Sequence, residues 1–425
     1  MDPYRAAGAA LLAGLAATAA AHAQSSGTNP DISVIGEVIV CPEGAEDCAY
    51  EEADGTLELQ GVEFAFQGYL SPFVRGDFFA GYHGGEFEIE EAYATFVRGL
   101  GPVQAKIGKY RLDWGAVNPL HPHAYSWIFQ PLVEARFFGE EGLNQVALGA
   151  NASFPAGANG ELAFAFDLLR GDLAEDHDHG EEEQPPSGLI CVGPGCDDGL
   201  CEQDDDDCSL VYYEPSDDHG DGDEGPDLAY RFGASYFTQL RPAHSLRVGA
   251  NALLGTLDPA LDREVRWLGA DFKYRWRPDK YRSLNVFGAW LHSRADLEDE
   301  AVLSSTCLGP DCVGEVCPDG GVCLVVDDTE EIRGDSISTS GAYVIADWQF
   351  AQRWNGGIKL DRSEGLLEDD VVERAEAFVN FRIMEESTVF RFLLRREDGD
   401  LLDDAHVTSA IQVVFSLGPH RPHTF

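Results

Sequence analysis

The strongest constraint on this chain is a period of two. In Asp271-Phe272-Lys273-Tyr274-Arg275-Trp276-Arg277 every second residue is aromatic and every other one is charged. Successive side chains of a β-strand point to opposite faces, so such a run describes a wall with one greasy and one wet side. The expectation is aromatics toward lipid and charges toward a lumen. Ala377, Val379, Phe381 and Ile383 keep the same beat against Glu376, Asn380 and Arg382, as do Ile411, Val413, Phe415 and Leu417 against Gln412 and Ser416. A soluble β-sandwich alternates too, so the choice between the two falls to the ends and connections of the chain.

Residues 1–23 have the form of a secretory signal: Arg5 in a short head, an apolar stretch from Ala6 to Ala21, and a small-x-small site at Ala21-His22-Ala23. Beyond it no run reaches the roughly 18–20 apolar residues of a membrane-spanning helix. Only a closed barrel of strands then remains as a spanning structure. The chain ends on Phe425, and an aromatic last residue together with the signal and the strand beat fits a barrel of the bacterial outer membrane. The expected fold is all-β, a transmembrane antiparallel β-barrel of about sixteen strands forming one domain over 24–425. Its strands are expected at 31–40, 57–69, 72–82, 86–98, 102–111, 143–154, 160–170, 228–240, 244–257, 263–277, 281–294, 337–352, 354–363, 371–385, 387–397 and 405–417. Brief turns alternate with longer connections, and three of the latter are long: an inward-folded one at about 112–142, and acidic, cysteine-rich ones at about 171–227 and 295–336. Short periplasmic turns and long external loops are the usual asymmetry of such barrels.

The formal charge of −46 is unevenly placed. Residues 171–230 hold 21 Asp or Glu and no Lys or Arg, whereas most of the 29 basic residues lie in or beside the expected strands. An acidic crown would concentrate cations at the mouth above a mixed or locally basic lumen; outer-membrane lipid and small solutes or metal ions are the expected partners, and nucleic acid is not. The ten cysteines form three even-numbered clusters: Cys41 and Cys48; Cys191, Cys196, Cys201 and Cys208; Cys307, Cys312, Cys317 and Cys323. In an oxidising compartment they are expected to close local disulfides that shorten long loops. Their spacing is not the C-x2-C of zinc ribbons. No cofactor is required by the pattern, but Zn²⁺ or Ca²⁺ has candidate ligands in the loops: His177, Asp178 and His179, then Asp217, Asp218, His219, Asp221 and Asp223.

Residues 105–155 are too apolar for a free surface loop and are expected to fold over the lumen. Constriction-lining candidates are Lys109, Arg111, Asp113, His121, His123, Glu140 and Glu141 from this stretch, and Lys273, Arg275, Arg277 and Arg382 from later strands. His121 and His123 have two open uses, as ligands for a passing metal or as part of a plug with the neighbouring aromatics.

Asn29 to Gly36, Ile89-Glu90-Glu91-Ala92-Tyr93, the segment from Gly108-Lys109-Tyr110 to His121-Pro122-His123-Ala124, Gly139 to Asn144 and the ending Gly418 to Phe425 together resemble a group of outer-membrane proteins known as zinc-regulated TonB-dependent outer membrane receptors or porin-like proteins. The resemblance implies an outer-membrane location and a link to zinc supply. Receptors of that kind place a plug of roughly a hundred residues or more inside a 22-stranded barrel, while about 33 residues separate the expected cleavage site from Leu57. The reading is therefore a passive or gated channel of porin size. Three functions follow: a channel or receptor gathering divalent metal at its loops, a general or anion-preferring porin, and a non-conducting barrel whose loops bind a partner. No nucleophile elbow, phosphate loop or HExxH motif is present, so an enzyme is not expected.

Overall fold

The computed structural model describes residues 30–41, 57–83, 85–139, 141–170, 188–192, 209–213, 228–258, 263–296, 305–306, 324–325, 336–366, 370–383, 387–400 and 405–418. Its strands, in chain order, are β1 (Asp31–Val40), β2 (Leu57–Ser71), β3 (Val74–His83), β4 (Glu86–Phe96), β5 (Val103–Arg111), β6 (Asn144–Pro155), β7 (Gly160–Arg170), β8 (Gly188–Val192), β9 (Ser209–Tyr213) and β10 (Leu228–Arg241). They continue as β11 (His244–Asp258), β12 (Arg263–Trp276), β13 (Ser283–Asp296), β14 (Ser305–Thr306), β15 (Leu324–Val325), β16 (Ser336–Ala351), β17 (Trp354–Glu364), β18 (Val371–Arg382), β19 (Thr388–Gly399) and β20 (His406–Leu417). One short helix, α1 (Leu132–Phe138), lies between β5 and β6.

Sixteen of these strands form a closed antiparallel barrel in which each pairs with its neighbour in sequence, β7 passing to β10 and β13 to β16. Closure is by β20 on β1, from Val34 opposite Leu417 to Val40 opposite Ile411. The sixteen expected strands are all present, with bounds shifted by about three residues at most. The sequence reading missed two hairpins outside the barrel, β8–β9 and β14–β15. Both lie within the expected external loops, where the dominant signal was acid and cysteine rather than alternation.

The period of two sorts the wall as its chemistry requires. Phe272, Val379, Ile411 and Phe415 are exposed on the exterior, while Asp271, Glu376, Asn380 and Gln412 are buried within. Aromatic pairs reinforce the outer face, among them Phe66 with Phe78 at 6.0 Å and Phe166 with Phe232 at 5.1 Å between ring centres. Closure leaves no edge strand, so each wall strand is paired on both sides, and an apolar exterior then makes the barrel a membrane-spanning structure. No helix among the described residues is long and apolar enough to cross a membrane.

The apolar core sits in the lumen. Residues 112–143 turn inward from the top of β5 and return at β6. Trp114, Trp127, Val133, Phe137 and Phe138 from this segment are buried against Trp267, Phe287, Leu291 and Ile345 of the wall. Their rings interlock, with Trp114 edge-on to Phe138 at 5.6 Å and Phe138 against Trp267 at 5.0 Å.

Candidate functional site

The neck of the inward segment is closed by Asn118. Its Nδ2 donates to the carbonyls of Leu112 and Leu143, and its Oδ1 accepts from the amide of Leu143, at 2.8, 3.2 and 2.7 Å. Gly142, with φ +67°, leaves the room this needs, because a Cβ there would stand 2.7 Å from Asn118 Oδ1. Once inside, the segment is held from several walls. The Lys359 ammonium donates to the carbonyl of Phe129 at 2.7 Å, Asn380 to that of Ser126 at 2.6 Å, and Arg136 to the Asp370 carboxylate at 2.5 Å. In α1, the Tyr343 hydroxyl donates to Glu134 Oε1 at 2.8 Å. Burial, with the nearby charges of Asp361 and Asp271, pushes the Glu134 carboxyl up to about 8, against the pull of that hydrogen bond. Glu134 is therefore a neutral acid at neutral pH.

Beneath this segment, toward the end of the barrel with the short turns, lies a cavity of about 410 Å³. Arg275, Arg277, Lys280, Arg382 and Arg391 line it, and among its lining residues the one carboxylate is Asp347. Asp347 is engaged by Ser126 Oγ at 2.9 Å and Asn355 Nδ2 at 2.7 Å. Alternation put Arg275, Arg277 and Arg382 on the wet face of β12 and β18, and the folded barrel adds Arg391 of β19 and Lys280 of the β12–β13 turn. A field of fixed positive charge in a confined, partly desolvated mouth favours anions.

A second group forms on the β1–β4 side. His121 precedes Pro122, which biases it to extended backbone, and its φ and ψ are −72° and 150°. The 3₁₀ turn Pro122–Ala124 then swings His123 back over it, so that the rings stack 5.6 Å apart. Glu63 Oε2 of β2 lies 3.0 Å from His121 Nδ1 and 3.1 Å from His123 Nδ1. Glu90 Oε2 is 3.1 Å from His121 Nδ1, and Glu91 Oε1 is 2.8 Å from its Nε2. Burial opposes a charged His121 ring, but the charge and hydrogen bonds of Glu63, joined by Glu90 and Glu91, raise its pKa well above the ordinary value. The surroundings demand positive charge at this point.

Simple alternation hides half of this group. Glu90 and Glu91 are adjacent, and a regular strand would turn one of them outward. The β3–β4 ladder slips between Phe79 and Ala80, which pair with Glu91 and Ile89 and leave Glu90 as an extra residue. This bulge turns both carboxylates inward, where both are buried. Glu63 was legible in principle, since Glu63, Ala65 and Gln67 alternate with Phe64 and Phe66. Room is made by two glycines, because a Cβ on Gly61 or Gly81 would stand 2.4 Å from the His83 ring or 2.2 Å from Glu90 Oε1.

The other expected lumen residues are spread around these features. Arg111 is buried and pairs with Glu141 at 3.4 Å. Lys109 pairs with the half-exposed Glu88 at 3.2 Å toward the long-loop rim. Asp113 is exposed, and its carbonyl accepts from Arg231. Lys273 is partly buried one pleat above Arg275. Glu140 lies outside the described residues, as do His177, Asp178, His179, Asp217, Asp218, His219, Asp221, Asp223 and most of the cysteines. Cys41 follows β1 and is buried; of Cys191 only the strand backbone is described.

No protein-family model matches the sequence, and no curated protein matches it. Among solved structures the chain is similar to the outer membrane channel DcaP of Acinetobacter baumannii, with a TM-score of 0.48 and 10% identity over 92% of this chain and 99% of that one. It is also similar to an anion-selective porin from Comamonas acidovorans, with a TM-score of 0.47 and 8% identity over 91% and 98% of the two chains. OprB of Pseudomonas putida gives a TM-score of 0.47 and 10% identity over 91% and 94%. At these scores and identities none of them bears on what this chain transports. None of the comparisons supports the finer resemblance to zinc-regulated TonB-dependent receptors.

Proposed function

We propose that the chain is a porin-like channel of the bacterial outer membrane, constricted from within by residues 112–143 and preferring small anions. The observation that carries this reading is the cavity of about 410 Å³ inside a closed barrel, lined by Arg275, Arg277, Lys280, Arg382 and Arg391 against Asp347. A closed wall, apolar outside and bearing cationic side chains at one inner mouth, suits the movement of water-soluble solutes across lipid. The short turns belong on the periplasmic side by the usual asymmetry, so the cationic mouth is the inner one. Cys41 at the end of β1 is buried and disulfide-bonded, which supports an oxidising compartment for the chain.

The test is reversal potential in planar bilayers under a salt gradient. Anion preference that weakens or inverts when Arg275 and Arg382 are replaced by Glu supports the reading. Cation preference in the parent protein, or a folded barrel that never conducts, defeats it.

A second reading, capture of divalent metal at the outer loops, is favoured by the 21 carboxylates and absent Lys and Arg of 171–230. Replacing His177, His179 and His219 with Ala should then abolish any effect of added Zn²⁺ on conductance.

A further inference from the structure

We propose that Glu63, His121 and His123 form an internal binding site for a divalent transition-metal ion of the Zn²⁺ class, separate from the outer acidic loops. One ligand atom from each of the three lies within 4.8 Å of the other two. The pair distances on Glu63 Oε2, 3.0 Å to His121 Nδ1 and 3.1 Å to His123 Nδ1, are a few tenths of an ångström short of the roughly 3.3–3.6 Å that separates neighbouring ligands of a tetrahedral ion with bonds of about 2.0–2.2 Å, so the three need spread only slightly to admit one. Two imidazoles and a carboxylate suit a borderline ion such as Zn²⁺ or Co²⁺ better than Ca²⁺ or Mg²⁺.

Three further observations point to a ligand rather than to packing. Glu63 Oε1 is buried and has no hydrogen-bond partner among the described residues, so this carboxylate has capacity to spare. A cavity of about 30 Å³ adjoins it, with Glu37, Glu63, Glu90, His83, His123 and Arg111 among its lining residues; that is room for one ion or water. The outer partners are also those a metal-binding histidine takes. His121 presents Nδ1 to the cluster while Nε2 faces Glu91 Oε1 at 2.8 Å, a carboxylate that fixes tautomer and ring orientation for a ligating imidazole. Glu90, 3.1 Å from His121 Nδ1, supplies a candidate fourth ligand, and its other oxygen is oriented by His83 Nε2 at 3.0 Å. Glu63, Glu90 and Glu91 bring three carboxylates against the His121 ring, with His83 on Glu90, so a dication taking the place of the His121 Nδ1 proton would keep them paired.

The site is tested on the refolded full-length chain in detergent. His177, His179 and His219 are first replaced by Ala so that loop imidazoles cannot contribute, and the protein is then titrated with Co²⁺ and with Zn²⁺ in competition. The expected result is about one tightly bound Co²⁺ per barrel with the intense visible bands of four-coordinate Co²⁺, displaced by Zn²⁺. Glu63→Gln and His123→Ala should lose those bands, and Glu91→Gln should weaken binding by about tenfold or more through the orienting carboxylate. If His121→Ala does not refold, judged by heat-modifiable gel migration, Glu63→Gln and Glu91→Gln decide the matter. Absence of the bands in the parent, or bands unchanged in Glu63→Gln, overturns the proposal. Equilibrium titration needs no conductance. A barrel that conducts anions without binding metal therefore refutes this site alone, and one that binds metal without conducting refutes the channel alone.

Discussion

Replacing Glu134 by Gln should make the docking of the inward segment insensitive to pH. Glu134 is fully buried on α1, and its carboxyl is pushed up to about 8 from an ordinary 4.5. When the segment undocks, the group meets water and returns to the ordinary value. Below pH 4.5 both states are protonated and docking has its full strength. As pH rises from 4.5 to about 8 the undocked state releases a proton that the docked state keeps, and docking weakens by about 1.4 kcal/mol per pH unit. Across that interval the loss is about 5 kcal/mol, and above it the curve flattens. Gln at this position still offers a carbonyl oxygen to the Tyr343 hydroxyl, which donates to Glu134 Oε1 in the parent, but it cannot titrate. The assay is hydrogen exchange of peptides from 112–143 in both proteins from about pH 5 to about pH 9, taking the ratio at each pH to cancel the intrinsic exchange rate. Protection in the parent should fall relative to the variant by about tenfold per pH unit up to about pH 8. A ratio that stays constant with pH would refute the argument that burial holds this carboxyl neutral.

Asn118→Ala removes three hydrogen bonds at the neck of the segment and leaves the Leu143 amide without its acceptor, while the Leu112 and Leu143 carbonyls keep backbone donors in Trp114 and Leu112, so docking should weaken by about 1–3 kcal/mol, seen as faster exchange of the same peptides with the barrel's heat-modifiable migration unchanged. Lys359→Met strips the ammonium from between Asp361 and Glu376, which it meets at 3.4 and 3.0 Å with all three side chains fully buried; a loss of about 3–5 kcal/mol in urea unfolding is expected. Phe272→Arg places a charge on the lipid face of β12 and should destabilise the folded barrel in lipid by up to about 2–4 kcal/mol, whereas Lys273→Gln, one residue along and on the inner face, should change selectivity with little effect on stability.

The barrel was legible in the sequence because its wall obeys a local rule. Lipid outside and water or polar side chains inside force an alternation along each strand, so Phe272 beside Lys273 and Val379 beside Asn380 reveal their faces without reference to any other strand. That the 112–143 segment turns inward was legible too, since Trp114, Trp127 and Phe138 have no other place to be buried. The anionic preference proposed for the inner mouth was half visible: alternation placed Arg275 and Arg382 on the wet face, but not around a common cavity with Arg391.

The histidine–carboxylate group was decided by tertiary structure. His121 and His123 are two residues apart and were singled out as a pair, yet their partners come from β2 and β4, 58 and 31 positions before them when counted from Glu63 to His121 and from Glu90 to His121. Barrel closure and the inward turn bring those strands to the loop, and neither leaves a trace in the spacing of the residues. The bulge that turns Glu90 and Glu91 to the same side breaks the alternation on which the sequence reading relies. Sequence by itself thus determined which residues face lipid and which segment enters the lumen, because burial acts residue by residue; which charges meet inside was decided by register, closure and one extra residue in a ladder.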